Sequence, residues 1–469
     1  MSKTKIELPL FIRNAIDSVT RAVDPIEPLE KIDESLTPNM RALRLAMSIS
    51  DQLLAQGVSA SDVVHMALGV TNTYCKRRAH LDVSSTMITI SQDRGDDREP
   101  LTLIRTIVLR DANYRSIQAI QSLALEIRDK HLSLAEAEKR MDEILKSPQK
   151  SPRWIIYAAG GMVSSGTIVL YNGKPTMIAL AFLVGFLATG MLKWMAKLGM
   201  STFYSQIIAA LCITITAAGA AWLSTTYGLG INATLLVISG IVLLVAGMMT
   251  VGAFQDAIDE YYITANARLL KVAMATGGIV IGVLIGLYVA TFLGVSFPTT
   301  PDKLSMATPK FQYIGALIIA AAFAARYHAP LFGVVISGGI GMLGWLVSRF
   351  IIAEGFGVVI ASGVAAAVVG LLATFVSRFW KFPSMAIISA GIVPLVPGLS
   401  LYNGLMGIVQ NPPSDPEFMY ALAILARALV IGLAIAAGAT LGNIVGRPLR
   451  RRISKAYNRL PRRKLSQNS

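Results

Sequence analysis

A chain of 469 residues with 54% hydrophobic and only 15% charged side chains, and a mean hydropathy of +0.56, is not a string of soluble domains; those carry about 25% charge. The formal charge of +15 does not imply nucleic acid, because it is unevenly spread: residues 1–153 hold 22 basic and 21 acidic side chains, residues 154–443 hold 12 and 7, and residues 444–469 hold 9 and none. Most of the excess is one tail, Arg447 to Lys464, behind a long apolar region, as expected of a cytoplasmic anchor on anionic lipid.

Residues 1–153 read as a cytoplasmic α+β domain. Leu8 to Val23 suits a short amphipathic helix, and its apolar patch, cut off by Arg13 and Asp17, is too short for a cleavable signal peptide. A stronger helix is predicted from Asn39 to Gln56, with Leu43, Met47 and Leu54 at helical spacing and Gly57 as its C-cap; Ser61-Asp62 opens another. His80–Ser91 and Leu101–Leu109 are rich in β-branched residues and flank the polar turn Asp93–Asp97, so they are predicted as a strand pair. Two helices follow, the second opened by the capping box Ser133-Leu-Ala-Glu136. Arg153-Trp154 then marks the membrane edge.

From Trp154 on, ten apolar runs approach the ~20 residues that a spanning helix needs: 154–171, 176–196, 204–224, 230–253, 271–294, 311–326, 329–348, 355–377, 384–408 and 418–445. All five tryptophans fall near run ends, as an aromatic belt requires. Ten spans put both termini on one side. With the termini inside, the inner loops carry seven basic residues against four outside, before the tail is added, so the expected location is a bacterial inner membrane with cytoplasmic termini.

An internal repeat organises these spans. Gly190-Met-Leu-Lys-Trp194 recurs as Gly341-Met-Leu-Gly-Trp345, and Gly240-Ile-Val-Leu-Leu-Val-Ala-Gly247 as Gly391-Ile-Val-Pro-Leu-Val-Pro-Gly398, both at an offset of 151 residues. Val280-Ile-Gly282 and Val430-Ile-Gly432 follow at 150. The expected fold is an α-helical polytopic membrane protein whose ten helices form a 5+5 inverted repeat, with units at 154–294 and 295–446 and a basic tail at 447–469. Five is odd, so the halves insert with opposite orientations, a common architecture of secondary transporters with substrate at the repeat interface.

Candidate chemistry concentrates in the ninth run. Pro394 and Pro397 remove backbone donors there, and Gly391 and Gly398 allow close approach or unwinding. Freed carbonyls at membrane depth need a partner; Ser389, Ser400, Tyr402 and Asn403 lie within two turns. The plainer reading is a Pro-kinked helix with glycines at helix contacts. The fourth run carries the counterpart ending at Gly247, with Leu243 and Ala246 in place of the prolines. Arg427 is the one cation well inside a run and is expected to face the bundle interior, toward a carboxylate-bearing substrate, backbone carbonyls or an acidic side chain. Asp256, with Asp259 and Glu260, clusters just past the inner end of the fourth run; it is the candidate proton carrier, against the alternative of local ion pairs with Arg268 and Lys271.

Other chemistry is not signalled. There is no G-x-x-x-x-G-K-[ST] in the chain, and no zinc pattern, nucleophile motif or dinucleotide fingerprint in residues 1–153, so neither cofactor nor catalytic activity is expected. Cys75 and Cys212 fall in different regions and are expected to stay unpaired, the four histidines are scattered, and Asp93, Asp96 and Asp97 read as a solvated turn.

The chain resembles the bacterial threonine/serine exporter family over nearly its whole length. The resemblance is carried by Ser84–Ser91 (SSTMITIS), Arg110-Asp-Ala-Asn-Tyr114-Arg-Ser116, Leu132–Ala137 with Ile144, Asp256 with Ala265-Asn-Ala-Arg268, and Gly391–Gly398. It implies export of small hydroxy amino acids driven by the proton motive force. In related systems the five-helix units are separate chains associated with dicarboxylate export, so a small dicarboxylate such as succinate is the alternative cargo. A membrane-anchored enzyme or sensor acting through residues 1–153 is a further alternative, disfavoured by the repeat. The expected partners are a small zwitterion, protons, anionic lipid and possible further copies of the chain, with no nucleic acid.

Overall fold

The structure, a computed structural model, describes residues 37–94, 99–129, 132–146, 150–228, 231–244, 247–294 and 306–459. The amphipathic helix expected at Leu8–Val23 and the end of the basic tail lie outside them. Helix α1 (Pro38–Ala55) starts where Thr37 accepts a hydrogen bond from the Met40 N–H and Pro38 presets the first turn. It ends at Gly57, whose φ of +86° suits glycine. Helix α2 (Ala60–Tyr74) is capped by Ser59 rather than the expected Ser61, its Oγ accepting from the Asp62 N–H at 3.4 Å.

The expected strand pair is a three-stranded antiparallel sheet: β1 (Ala79–Ser84), β2 (Met87–Gln92) and β3 (Leu101–Thr106), in that order. The stretch His80–Ser91 folds back on itself, Ser84 pairing with Met87 across a two-residue turn in which Ser85 takes φ +59°. Ile88 and Ile90 bury on the face that meets α1 and α2. Helices α3 (Tyr114–Arg128) and α4 (Leu134–Lys146) complete this layer. The Ser133 hydroxyl caps α4 by accepting from the Glu136 N–H at 3.3 Å, and Glu138, almost fully buried, pairs with Arg41 of α1.

The remaining helices are α5 (Arg153–Leu170), α6 (Pro175–Lys197), α7 (Thr202–Tyr227), α8 (Ala233–Leu244), α9 (Gly247–Ile258), α10 (Tyr262–Phe292), α11 (Pro309–Arg326), α12 (Leu331–Ala353), α13 (Val358–Trp380), α14 (Ser384–Gly391), a 3₁₀ turn Val393–Leu395, α15 (Gly398–Gln410) and α16 (Pro416–Arg459). Six of them, α6, α7, α10, α12, α13 and α16, are long and apolar enough to cross a membrane. The pairs α8–α9, bent by 47°, and α14–α15, bent by 52°, bring the number to eight if each is one span. The ten spans expected from hydropathy are therefore six to eight among the described residues. The two runs that fall outside, α5 and α11, pack closely on each other through small residues such as Gly166 and Gly315. A helix covered by protein needs less apolar surface than one facing lipid.

Helix α8 is buried at every residue and α14 at every residue after Ser384, and the two form the centre of the bundle, as all-round apolar helices must. Around them α5 packs on α6 and α11, α11 on α12, α7 on α10, and α13 on α16. Four tryptophans (154, 194, 222 and 380) are exposed near helix ends, as a belt requires. Trp345 departs from that expectation: it is 8% exposed, and its Nε1 donates to Gln312 Oε1 at 3.2 Å.

Candidate functional site: a cavity at a broken helix

The break between α14 and α15 follows from its prolines. Pro394 and Pro397 cannot donate, so the helix tightens to the 3₁₀ turn Val393–Leu395, Val396 turns extended, and α15 restarts at Gly398. Gly398 lets this elbow lie against α8: a Cβ there would stand 2.9 Å from Val242 Cγ2 and 3.5 Å from Ile238 Cγ2.

A cavity of about 260 Å³ opens beside the elbow. Pro394–Ser400 form one wall; Thr167, Leu170 and Tyr171 at the end of α5 and Ile238 and Val242 of α8 form another. Helix α12 supplies Trp345, Ser348, Arg349 and Ile352, and α13 supplies Ser362. Both segments joined by the repeat motif therefore contribute. The volume lies below the ~300–1,000 Å³ of pockets that hold drug-sized ligands, which suits a small solute.

The expected site residues divide. Pro394, Pro397, Gly398 and Ser400 line the cavity. Tyr402 and Asn403 line a separate groove of about 480 Å³ between α15 and α16, and the buried Tyr402 hydroxyl shares a 3.3 Å hydrogen bond with Thr234 of α8. Ser389 is fully buried and donates to its own helix at Met385 O, 2.6 Å away, so its hydroxyl serves α14. Gly247 opens α9 on the far side of the other break. Arg427 does not face the interior: it is exposed on α16, beside the exposed Ala426, and lies outside the cavity. Its aliphatic stem can run along the helix toward a polar boundary, so exposure there does not demand a buried partner.

Sequence reasoning missed Arg326, Trp345, Ser348, Arg349 and Ser362. Arg326 is 9% exposed at the end of α11, and its Nη1 donates to Leu243 O at 2.8 Å. Gln206 Nε2 of α7 donates to Leu244 O at 3.3 Å. The last carbonyls of α8 thus find donors across the bundle, as freed backbone in an apolar setting requires. For α12 a signal did exist: positions 345, 348, 349 and 352 share one helical face.

Asp256 is fully buried where the N-terminal elements meet the helices. It accepts from the Ala60 N–H at 2.7 Å and pairs with Arg268 at 2.8 Å, while Arg268 also donates to Val58 O at 2.7 Å. Gln255 Nε2, one residue earlier, donates to Ser59 Oγ at 3.0 Å and Asp62 Oδ2 at 3.3 Å. Its Oε1 accepts from Asn443 Nδ2 at 3.5 Å, and Asn443 Oδ1 accepts from Thr374 Oγ1 at 2.8 Å. One polar chain therefore runs from α13 and α16 through α9 to the cap of α2.

A second seam forms at the end of α11. Tyr114, fully buried, packs against Tyr327 and edge-on to Phe382, and its N–H donates to Tyr327 O at 2.9 Å. Burial, then the neighbouring Tyr327, push its phenol well above the usual range. Burial would raise Asp111, but Lys193, 2.6 Å away, outweighs it and holds the carboxyl below its ordinary value. His328 Nδ1 accepts from the Ser151 N–H at 2.9 Å. Burial and the cations Lys193, Lys150 and Arg115 push this imidazole down to about 4. Among the described residues no group of three or more His, Cys, Asp or Glu side chains is arranged to hold a metal ion, and both cysteines are free.

Residues 44–290 match the family described as "Putative threonine/serine exporter", and residues 312–445 match "Threonine/Serine exporter, ThrE". A "Threonine/serine exporter" of Corynebacterium glutamicum is 30% identical over 451 residues, 94% of this chain and 90% of its own. A "Probable threonine/serine exporter" of Mycobacterium tuberculosis is 29% identical over 417 residues, 87% of this chain and 77% of its own. No solved structure matches the chain significantly.

Proposed function

The chain belongs to the threonine/serine exporter family, as a multi-pass membrane protein, and we propose that it is a secondary transporter that exports threonine, serine or a similar small zwitterion through the cavity at the α14–α15 elbow. One observation carries this reading: a small, partly polar cavity lies at a helix break, walled by helices from both segments of the chain. Backbone unwound at membrane depth is tolerated where it lines such a cavity.

The helix packing supports reading the bundle as an inverted 5+5 repeat. The first and second elements of each segment pair (α5–α6, α11–α12), as do the third and fifth (α7–α10, α13–α16), and each fourth element is broken. Across the segments the first elements meet, and so do the broken ones. The units at 154–294 and 295–446 rest on this correspondence. Pro394, Pro397, Gly398 and Ser400 form the substrate wall, with Tyr402 and Asn403 on its flank.

Residues 1–153 act as a cytoplasmic gate under the inner mouth, held there by Tyr114 and by Asp256. Proton coupling runs through Asp256: protonation cancels its attraction for Arg268 and loosens the hold on Ala60 and Val58. Both termini are cytoplasmic, with the basic tail on the anionic leaflet.

Counterflow in proteoliposomes tests the reading. Internal unlabelled threonine should drive uptake of labelled threonine and serine, more strongly than of succinate, and an imposed pH gradient should change the rate. Exchange of succinate alone would shift the cargo to dicarboxylates. No exchange of any small solute would refute transport.

A further inference from the structure

We propose that the cavity holds a carboxylate subsite in which Arg349 and the N-terminus of α15 together receive the carboxylate of a small zwitterionic solute. The proposal rests on the cavity being the transport pathway and names the group that recognises the cargo there. Arg349 is the one charged side chain among the described residues that line the cavity. It is half-buried, and no described carboxylate lies within ion-pair distance of it. A cation at the wall of a low-dielectric cavity, with no anion beside it among the described residues, is poised for an anionic group from outside.

The elbow supplies a second attraction. Helix α15 begins at Gly398 inside the cavity wall, and the N–H groups of Leu399 and Ser400 have no backbone acceptor among the described residues. Such free donors at a helix start bind carboxylates. A third observation points independently to a ligand. Ser348 and Ser362 line the same cavity at 5% and 3% exposure, and neither hydroxyl bonds to another described residue. Buried hydroxyls are ordinarily satisfied. In a cavity of about 260 Å³ these two are available to the hydroxyl and ammonium of a bound amino acid. A dicarboxylate would leave its second charge with no cation among the described lining residues.

Trp345, one turn before Arg349 on the same face, supplies a reporter. In full-length protein with the other four tryptophans changed to phenylalanine, threonine should alter Trp345 fluorescence saturably. Arg349→Gln should weaken threonine and serine binding about 10- to 100-fold, the range for losing a hydrogen bond to a charged group. Threoninamide, which lacks the carboxylate, should bind the parent weakly and lose nothing further in the variant. Arg349→Lys keeps the charge without the paired donors and should lose less than Gln; it also serves if the Gln variant does not fold. Threonine binding undiminished in a folded Arg349→Gln, or in Arg349→Lys together with Ser362→Ala, would overturn the subsite while counterflow by the parent still upheld transport. Absence of counterflow in the parent would remove the pathway itself.

Discussion

The pair Asp256–Arg268 offers the sharpest test of how the N-terminal elements are held to the helices. Asp256→Asn keeps an oxygen for the Ala60 N–H, so that bond, worth about 1 kcal/mol, stays. What it removes is the negative charge facing Arg268 at 2.8 Å, with both side chains at 10% exposure or less. Removing one partner of a buried pair costs about 3–5 kcal/mol, because the other charge is left uncompensated. Here the Val58 carbonyl still accepts from Arg268, which puts the expected loss near the lower end, about 3 kcal/mol. Arg268→Met should cost a similar amount by stranding Asp256, and the double variant should cost clearly less than the sum. The assay is unfolding in detergent, with limited proteolysis between residues 56 and 62 reporting detachment. Losses that add within ~0.5 kcal/mol would refute a coupled pair. Transport reads the other role: Asn at 256 mimics the protonated carboxyl, so exchange should persist while the response to a pH gradient disappears. A gradient response as large as the parent's would exclude Asp256 as the proton carrier.

The other predictions use the same geometry. Gly398→Val must push into Val242 and Ile238; overpacking of about 1–3 kcal/mol should lower counterflow far more than Gly219→Val, where a Cβ meets open space, and equal effects would argue against a tight elbow. Arg326→Met leaves Leu243 O without its donor and should destabilise by about 1–3 kcal/mol, with Gln restoring part; a thermal midpoint unchanged by Met would show that the carbonyl is otherwise satisfied. His328 binds a proton near 6.5 when unfolded but only near 4 when folded. The unfolded state therefore holds more protons between those values, so stability present above 6.5 is lost as pH falls through the window. His328→Asn, which tolerates the φ of +63° at this position, should flatten that part of a melting-versus-pH profile. Tyr114→Ala empties a fully buried site against Tyr327 and Phe382 and should cost about 3–5 kcal/mol, seen as proteolytic release of the N-terminal elements from a bundle that still elutes normally.

Much of the architecture is legible because hydropathy is a local signal. Every apolar run is a helix or a bent pair close to its expected position, and the Gly391–Gly398 motif does mark a break. What stays hidden depends on contacts. The turn at Ser85-Thr86 lacks the glycine or asparagine that announces hairpins, so the sequence reads as one strand where there are two. Arg326 and Arg349 look like loop charges, since a sequence gives the depth of a cation but not the face it occupies or the carbonyl it reaches. Arg427 shows the converse. Its depth follows from the helix start, yet a long side chain on a lipid-facing stripe has a route to polar surroundings that a central position along the helix conceals.

The two broken helices also explain why the repeat motif is not preserved equally in both segments. At the first break the last carbonyls of α8 are taken by Arg326 and Gln206, whose donors come from α11 and α7. That bend arises without prolines and is held from outside by side chains. At the second, Pro394 and Pro397 build the bend into the backbone, and the restart at Gly398 leaves free N–H groups facing a cavity. A bend fixed by its own prolines needs no side chain to stabilise it, so its donors stay open to a solute. One held by Arg326 and Gln206 has its polar groups already occupied. On the proposed reading the two segments share a frame and differ in role: α14–α15 would bind the solute, while α8–α9 carries Gln255 and Asp256 to their contacts with the N-terminal elements.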